Sequence, residues 1–78
     1  MNNREKYIDI FSKTFEVTPD EAQGLTYQSV KAWDSVGHMA LVSALEDAFE
    51  IMLDTEDILN FNSFEKGKEI LGKYDIQF

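Results

Sequence analysis

One serine in this chain sits where its hydroxyl could be put to chemical use. The run Trp33-Asp34-Ser35-Val36-Gly37-His38-Met39 sets Ser35 beside an aspartate, where a long connection gives way to the most regular amphipathic stretch of the sequence. A serine at a helix N-terminus combines an exposed hydroxyl with unpaired amide hydrogens and the positive end of the helix dipole. Such an environment tolerates an anion, which makes Ser35 a candidate to carry a phosphodiester. Asp34 is then the N-cap or the residue just before it. The same pair also reads as a plain helix cap, because Asp and Ser are both preferred there. His38, three residues after Ser35, completes the residue types of a Ser-His-Asp hydrolase. The spacing argues against one: the aspartate neighbours the serine instead of orienting the histidine, and no oxyanion hole is indicated. The helical wheel places His38 on the core-facing side, as a partly buried helix residue.

The elements that position Ser35 are helical. Residues from about Arg4 to Glu16 carry Ile8, Phe11 and Phe15 at i, i+3, i+7 spacing with Tyr7 beside them, the pattern of a helix with one buried face. Thr18-Pro19-Asp20-Glu21 is a capping box with proline at the first helical position, so a short turn starts there, and Gly24 soon ends it. Leu25 to Trp33 shows no clean period, and the resulting long connection is of the kind that wraps a core or carries function. Leu25, Tyr27, Val30 and Trp33 are apolar enough to tie it down.

The second long helix spans about Ser35 to Glu50, with Leu41, Leu45, Ala48, Phe49 and Met52 as its core stripe and Val42 at the flank. Asp54 can cap a short helix through Leu59, leaving Ile58, Leu59 and Phe61 to cover the core. Ser63 can cap a last helix to about Lys73, with Phe64, Gly67, Ile70, Leu71 and Tyr74 inward. The expected fold is all-α: a four-helix bundle of three longer helices and one short, with a long first loop, over a single domain spanning residues 1–78.

Composition narrows the function classes. The chain has 78 residues, 15 acidic against 7 basic, for a net charge of −8. It lacks the basic footprint of a nucleic-acid binder. An acidic surface suits cationic partner surfaces reached by steered encounter, or it serves solubility alone. The acid is concentrated: Ala32 to Glu65 holds no Lys or Arg but contains Asp34, Glu46, Asp47, Glu50, Asp54, Glu56, Asp57 and Glu65. Asp54 through Glu65 superficially resembles a calcium loop, but Ile58 and Leu59 occupy positions that need an oxygen ligand and a glycine, so no metal site is expected. There is no cysteine, hence no disulfide, thiolate nucleophile or cysteine-based metal site. No apolar run marks a signal peptide or a membrane span, and a cytoplasmic monomer is the expectation.

The Asp34-Ser35-Val36 element and the helical pattern after it resemble the prosthetic-group site of the acyl carrier protein family. The resemblance covers nearly the whole chain in helix order and apolar spacing. It implies that Ser35 receives 4'-phosphopantetheine from coenzyme A, through a phosphopantetheinyl transferase that Asp34 helps to bind coenzyme A and metal. Acyl or aminoacyl groups would then ride as thioesters on the arm's thiol, the sulfur that a cysteine-free chain cannot supply itself. The chain would be a carrier and not an enzyme, with His38 either packed in the helix or placed beside the arm.

On the exposed face of the same helix, Val36, Met39 and Ala40 lie away from the core stripe and are rimmed by acids. Val36, Met39, Glu46 and Asp47 therefore form an expected docking patch. In the family this helix meets partner enzymes, here the loading and transfer enzymes, through their basic and apolar surface. Fatty acid synthesis carriers usually have acids two and five residues after the serine, where this chain has Gly37 and Ala40. The Trp-Asp-Ser-Val-Gly-His run is more similar to stand-alone carriers of dedicated pathways. The alternative is an acidic helical adaptor that docks a basic partner without any cofactor.

Overall fold

The computed structural model describes residues 2–78. Five helices follow one another: α1 Asn3–Phe15, α2 Pro19–Ala22, α3 Ser35–Phe49, α4 Thr55–Asn60 and α5 Phe64–Gly72. The architecture is all-α, and among the described residues no helix is long and apolar enough to cross a membrane. Most helix starts are set by a side-chain cap. Asn2, Asp34 and Ser63 each accept a hydrogen bond from a first-turn amide, and Thr18 forms the full capping box with Glu21. Asp54 precedes α4 without such a bond. Two of the longer helices end alike. Glu16 and Glu50, each at φ 55°, turn left-handed, and the next amide reaches back to Ser12 O and Glu46 O.

The core is aromatic. Tyr7, Phe11 and Phe15 of α1 face Trp33, Phe61 and Phe64, with Phe15 stacked on Trp33 at 5.1 Å between ring centroids. Tyr7 is fully buried, and its hydroxyl donates to Phe64 O at 2.8 Å. Burial, with the charge of Glu65 adding to it, pushes this phenol well above its ordinary pKa. Gly67 lets α5 come this close: a Cβ there would lie 2.2 Å from both the Tyr7 hydroxyl and the Phe61 ring. Glycine costs a helix about 1 kcal/mol against alanine, and here contact with the aromatic layer outweighs that cost.

Two apolar residues depart from the expected core. Met52 is 84% exposed and Leu53 is buried in its place. The left-handed residue Glu50 breaks the helical phase after Phe49, so the 100° rotation that placed Met52 inward does not extend past α3. Ala48 and Phe49 are half-buried at that frayed end. Leu59 is 76% exposed on α4, whereas Ile58 and Phe61 pack inward as the pattern indicates.

The long connection between α2 and α3 is pinned at two levels. Leu25 and Trp33 are buried, and Tyr27 and Val30 lean on the core. Its backbone also pairs with the turn before α5: Tyr27 N–H donates to Asn62 O at 2.8 Å, and Phe64 N–H to Leu25 O at 2.9 Å, an antiparallel bridge at Thr26 and Ser63.

A polar latch joins α4 to the turn after α5. Asp57 is buried on α4, where it accepts from Lys73 and, at 2.7 Å, from the Tyr74 hydroxyl, which itself accepts from Asp54 N–H. One of the clustered acids is thus compensated, which periodicity gave no reason to expect. The Lys73 ammonium first, and the Tyr74 hydroxyl second, hold the Asp57 carboxyl below its usual range. Because the folded value is depressed, the latch's contribution is complete above the unfolded carboxylate pKa of about 3.9 and is lost as pH falls through the lower folded value. Urea unfolding should therefore show Asp57→Asn weaker than the parent at pH 7, with the gap shrinking steadily below about pH 4. A gap independent of pH would place the effect in packing instead.

Candidate functional site

Ser35 is the first residue of α3 and is exposed. Asp34 is the N-cap, as the sequence indicates: its Oδ1 accepts from Gly37 N–H at 2.9 Å, and its carbonyl accepts from His38 N–H at 2.8 Å. Those bonds occupy two first-turn amides and leave Ser35 and Val36 N–H facing the helix start. The Ser35 hydroxyl lies 3.3 Å from the Tyr27 hydroxyl, delivered from the pinned connection. The Cβ of any other residue at position 37 would stand 1.9 Å from the Ala32 carbonyl oxygen and 3.3 Å from the Phe15 ring. Gly37 is therefore a steric requirement of the connection's approach to α3, and an acid two residues after the serine would not fit here.

His38 ties three parts of the chain together. The Trp33 indole N–H can only donate, so His38 Nδ1 accepts it, at 3.0 Å. The Ile58 carbonyl oxygen can only accept, so Nε2, 2.8 Å away, carries the proton. The imidazole thus bridges the connection to α4 through one defined tautomer, its ring nearly coplanar with the Trp33 indole, 16° between planes. Both nitrogens are engaged away from Ser35, so the histidine does not form a serine–histidine relay. The half-buried position expected from the wheel is observed. The bridge itself was not legible, because nothing in the spacing of His38 and Ile58 marks a partner on another helix.

Beside Ser35 opens a pocket of about 310 Å³ lined by Tyr27, Ser35, His38, Leu59, Phe61 and Asn62. Phe61 is almost wholly buried, whereas Leu59 projects at the rim. No Lys, Arg, Asp or Glu lines it. Tyr27, Leu59, Phe61 and Asn62 were absent from the expected site. They reach Ser35 through the Tyr27–Asn62 and Leu25–Phe64 backbone pairing, a contact between segments that have no local pattern in common.

The expected docking residues separate. Val36 and Met39 are 80% and 53% exposed, and Ala40 and Asp47 are exposed with them. Glu46 does not belong to this open face. It is half-buried, and its Oε2 accepts from Leu53 N–H at 2.9 Å, pinning the turn that follows α3. A helical wheel counts only rotation about α3 and misses the chain that folds back over its last turn.

Compared with protein-family models, curated proteins and solved structures, the chain matches none.

Substitutions at Glu46 and Asp47 should therefore differ in kind. Glu46→Lys removes a charged acceptor from a backbone amide and should cost about 1–2 kcal/mol of stability in urea unfolding. Asp47→Lys, on the exposed face, should stay within about 0.5 kcal/mol of the parent. Equal effects would return Glu46 to the surface patch.

Proposed function

We propose that this chain is a carrier protein of the acyl carrier type, holding acyl or aminoacyl groups as thioesters on a 4'-phosphopantetheine arm attached to Ser35. One observation carries the reading: an exposed serine hydroxyl stands on the first turn of an aspartate-capped helix, at the lip of an uncharged pocket. The residues fit such a group. Ser35 and Val36 amides and the α3 dipole favour a phosphodiester at the helix start, and Ser35 itself is exposed. Attachment would make a bond from Ser35 Oγ to phosphorus, break the pyrophosphate bond of coenzyme A and release adenosine bisphosphate, with the hydroxyl proton lost to the transferase. Asp34, capping through Oδ1, keeps a second oxygen available to the transferase's metal and coenzyme A. When bound, the arm supplies the thiol that a chain without cysteine lacks.

In this reading the chain catalyses no reaction itself. The same reading takes α1, α3, α4 and α5 as a four-helix bundle, with α2 set in the long first connection. Partners are a phosphopantetheinyl transferase and loading and transfer enzymes that present basic and apolar surface to Val36, Met39 and Asp47. The protein works as a cytoplasmic monomer. The absence of an acid at positions 37 and 40 favours the partners of a dedicated pathway over those of general fatty acid synthesis.

The test is covalent. With coenzyme A, Mg²⁺ and a broad-specificity phosphopantetheinyl transferase, intact mass should rise by one phosphopantetheinyl group per chain. The addition should map to Ser35, bring one titratable thiol and disappear in Ser35→Ala. A folded chain left untouched by several competent transferases would overturn the carrier reading in favour of the cofactor-free adaptor. Addition at another serine would overturn the site.

A further inference from the structure

The pocket beside Ser35 ends where most carrier cargo would need it to continue. Its floor is Phe61, and its inner wall is His38, whose two nitrogens are committed to Trp33 and the Ile58 carbonyl. Behind that wall Trp33 is fully buried, stacked on Phe15 and edge-on to Phe11. The seam between α3 and α4 is therefore sealed by a hydrogen-bonded ring and an aromatic layer, and a chain of methylenes has no route from the pocket into the core. At about 310 Å³ the pocket is at the small end of ligand-binding sites. It is twice the roughly 150 Å³ of an apolar cavity that takes up benzene.

Its lining mixes apolar and uncharged polar groups. The Ser35 and Tyr27 hydroxyls stand together at 3.3 Å. Leu59 gives an exposed apolar edge and Phe61 a buried ring, and the exposed Asn62 amide offers both a donor and an acceptor. No charged side chain is present to select an ionic group. The first section of a phosphopantetheine arm carries the same kinds of group beyond its phosphodiester: a carbon bearing two methyl groups, a hydroxyl and an amide.

We infer, resting on the carrier reading, that this pocket seats the first section of the arm itself and not the acyl cargo: the paired methyls against Leu59 and Phe61, the neighbouring hydroxyl and amide toward Tyr27 and Asn62. The thioester end then stays in solvent whatever it carries. The carrier does not measure acyl length, and cargo selection falls to the partner enzymes.

The closing experiment uses the whole chain, modified at Ser35 with an arm carrying ¹³C in its two methyl groups, and loaded separately with acetyl and octanoyl groups. Nuclear Overhauser contacts should run from the arm methyls to Leu59, Phe61 and Tyr27 protons, with the same pattern in the free-thiol, acetyl and octanoyl forms. Seating the arm should also raise the melting temperature on modification. Leu59→Ser should abolish these contacts and that rise, while leaving the unmodified chain folded, because Leu59 is exposed. Asn62→Ala should weaken both. A chain that cannot be modified would remove the carrier reading and this inference together. A chain that is modified but shows no arm-methyl contacts would overturn the inference alone. Octanoyl contacts with Phe61 or Trp33, or arm-methyl contacts that change with acyl length, would overturn it in favour of cargo sequestration.

Discussion

The hydrogen-bonded line from Trp33 through His38 to the Ile58 carbonyl is what the arrangement around Ser35 depends on. Trp33 ends the long connection, His38 is on the first turn of α3, and Ile58 belongs to α4. One imidazole thus fixes the relative placement of three segments, and Ser35 lies between two of its members in sequence. The line is also satisfiable in only one way, since an indole N–H cannot accept and a carbonyl cannot donate. Buried polar networks of this kind rigidify when every member is paired. Here the result is a wall behind Ser35, so the serine faces a shallow, uncharged pocket and not the core.

The rest of the fold brings the necessary pieces to that line. Gly37 allows the Ala32 carbonyl to come against α3, and Gly67 allows α5 to come against Tyr7 and Phe61. Two backbone hydrogen bonds then hold Tyr27 and Asn62 at the pocket. The Asp57–Lys73–Tyr74 latch joins α4 to the turn after α5. The acidic segment is therefore not uniform. Asp57 is spent internally and Glu46 holds the turn at Leu53, while Asp34 caps the helix and Asp47 remains on the open face.

Much of the backbone was legible because caps and period act within a few residues. Asp34, Ser63 and the Thr18–Glu21 box start their helices where the residue types indicate, and the apolar spacing puts Tyr7, Phe11, Leu41, Leu45, Ile70 and Leu71 inside. Ser35 and Asp34 were visible for the same reason. Features that depend on two distant segments were not. Met52 and Leu53 exchange roles once Glu50 breaks the phase. Glu46 looks exposed until the following turn folds over it. Tyr27, Leu59, Phe61 and Asn62 become a site only through pairing of the connection with the turn before α5. Asp57 reads as one more surface acid until Lys73 and Tyr74 arrive from the turn after α5.

The ¹H–¹⁵N long-range correlation spectrum of the His38 ring tests the central line most directly. The account predicts a single neutral tautomer with the proton on Nε2, an unprotonated Nδ1 accepting from Trp33, and a Trp33 indole proton protected from exchange with solvent. A proton on Nδ1, protons on both nitrogens, or a freely exchanging Trp33 indole would contradict it, because the Trp33–His38–Ile58 line could not then form.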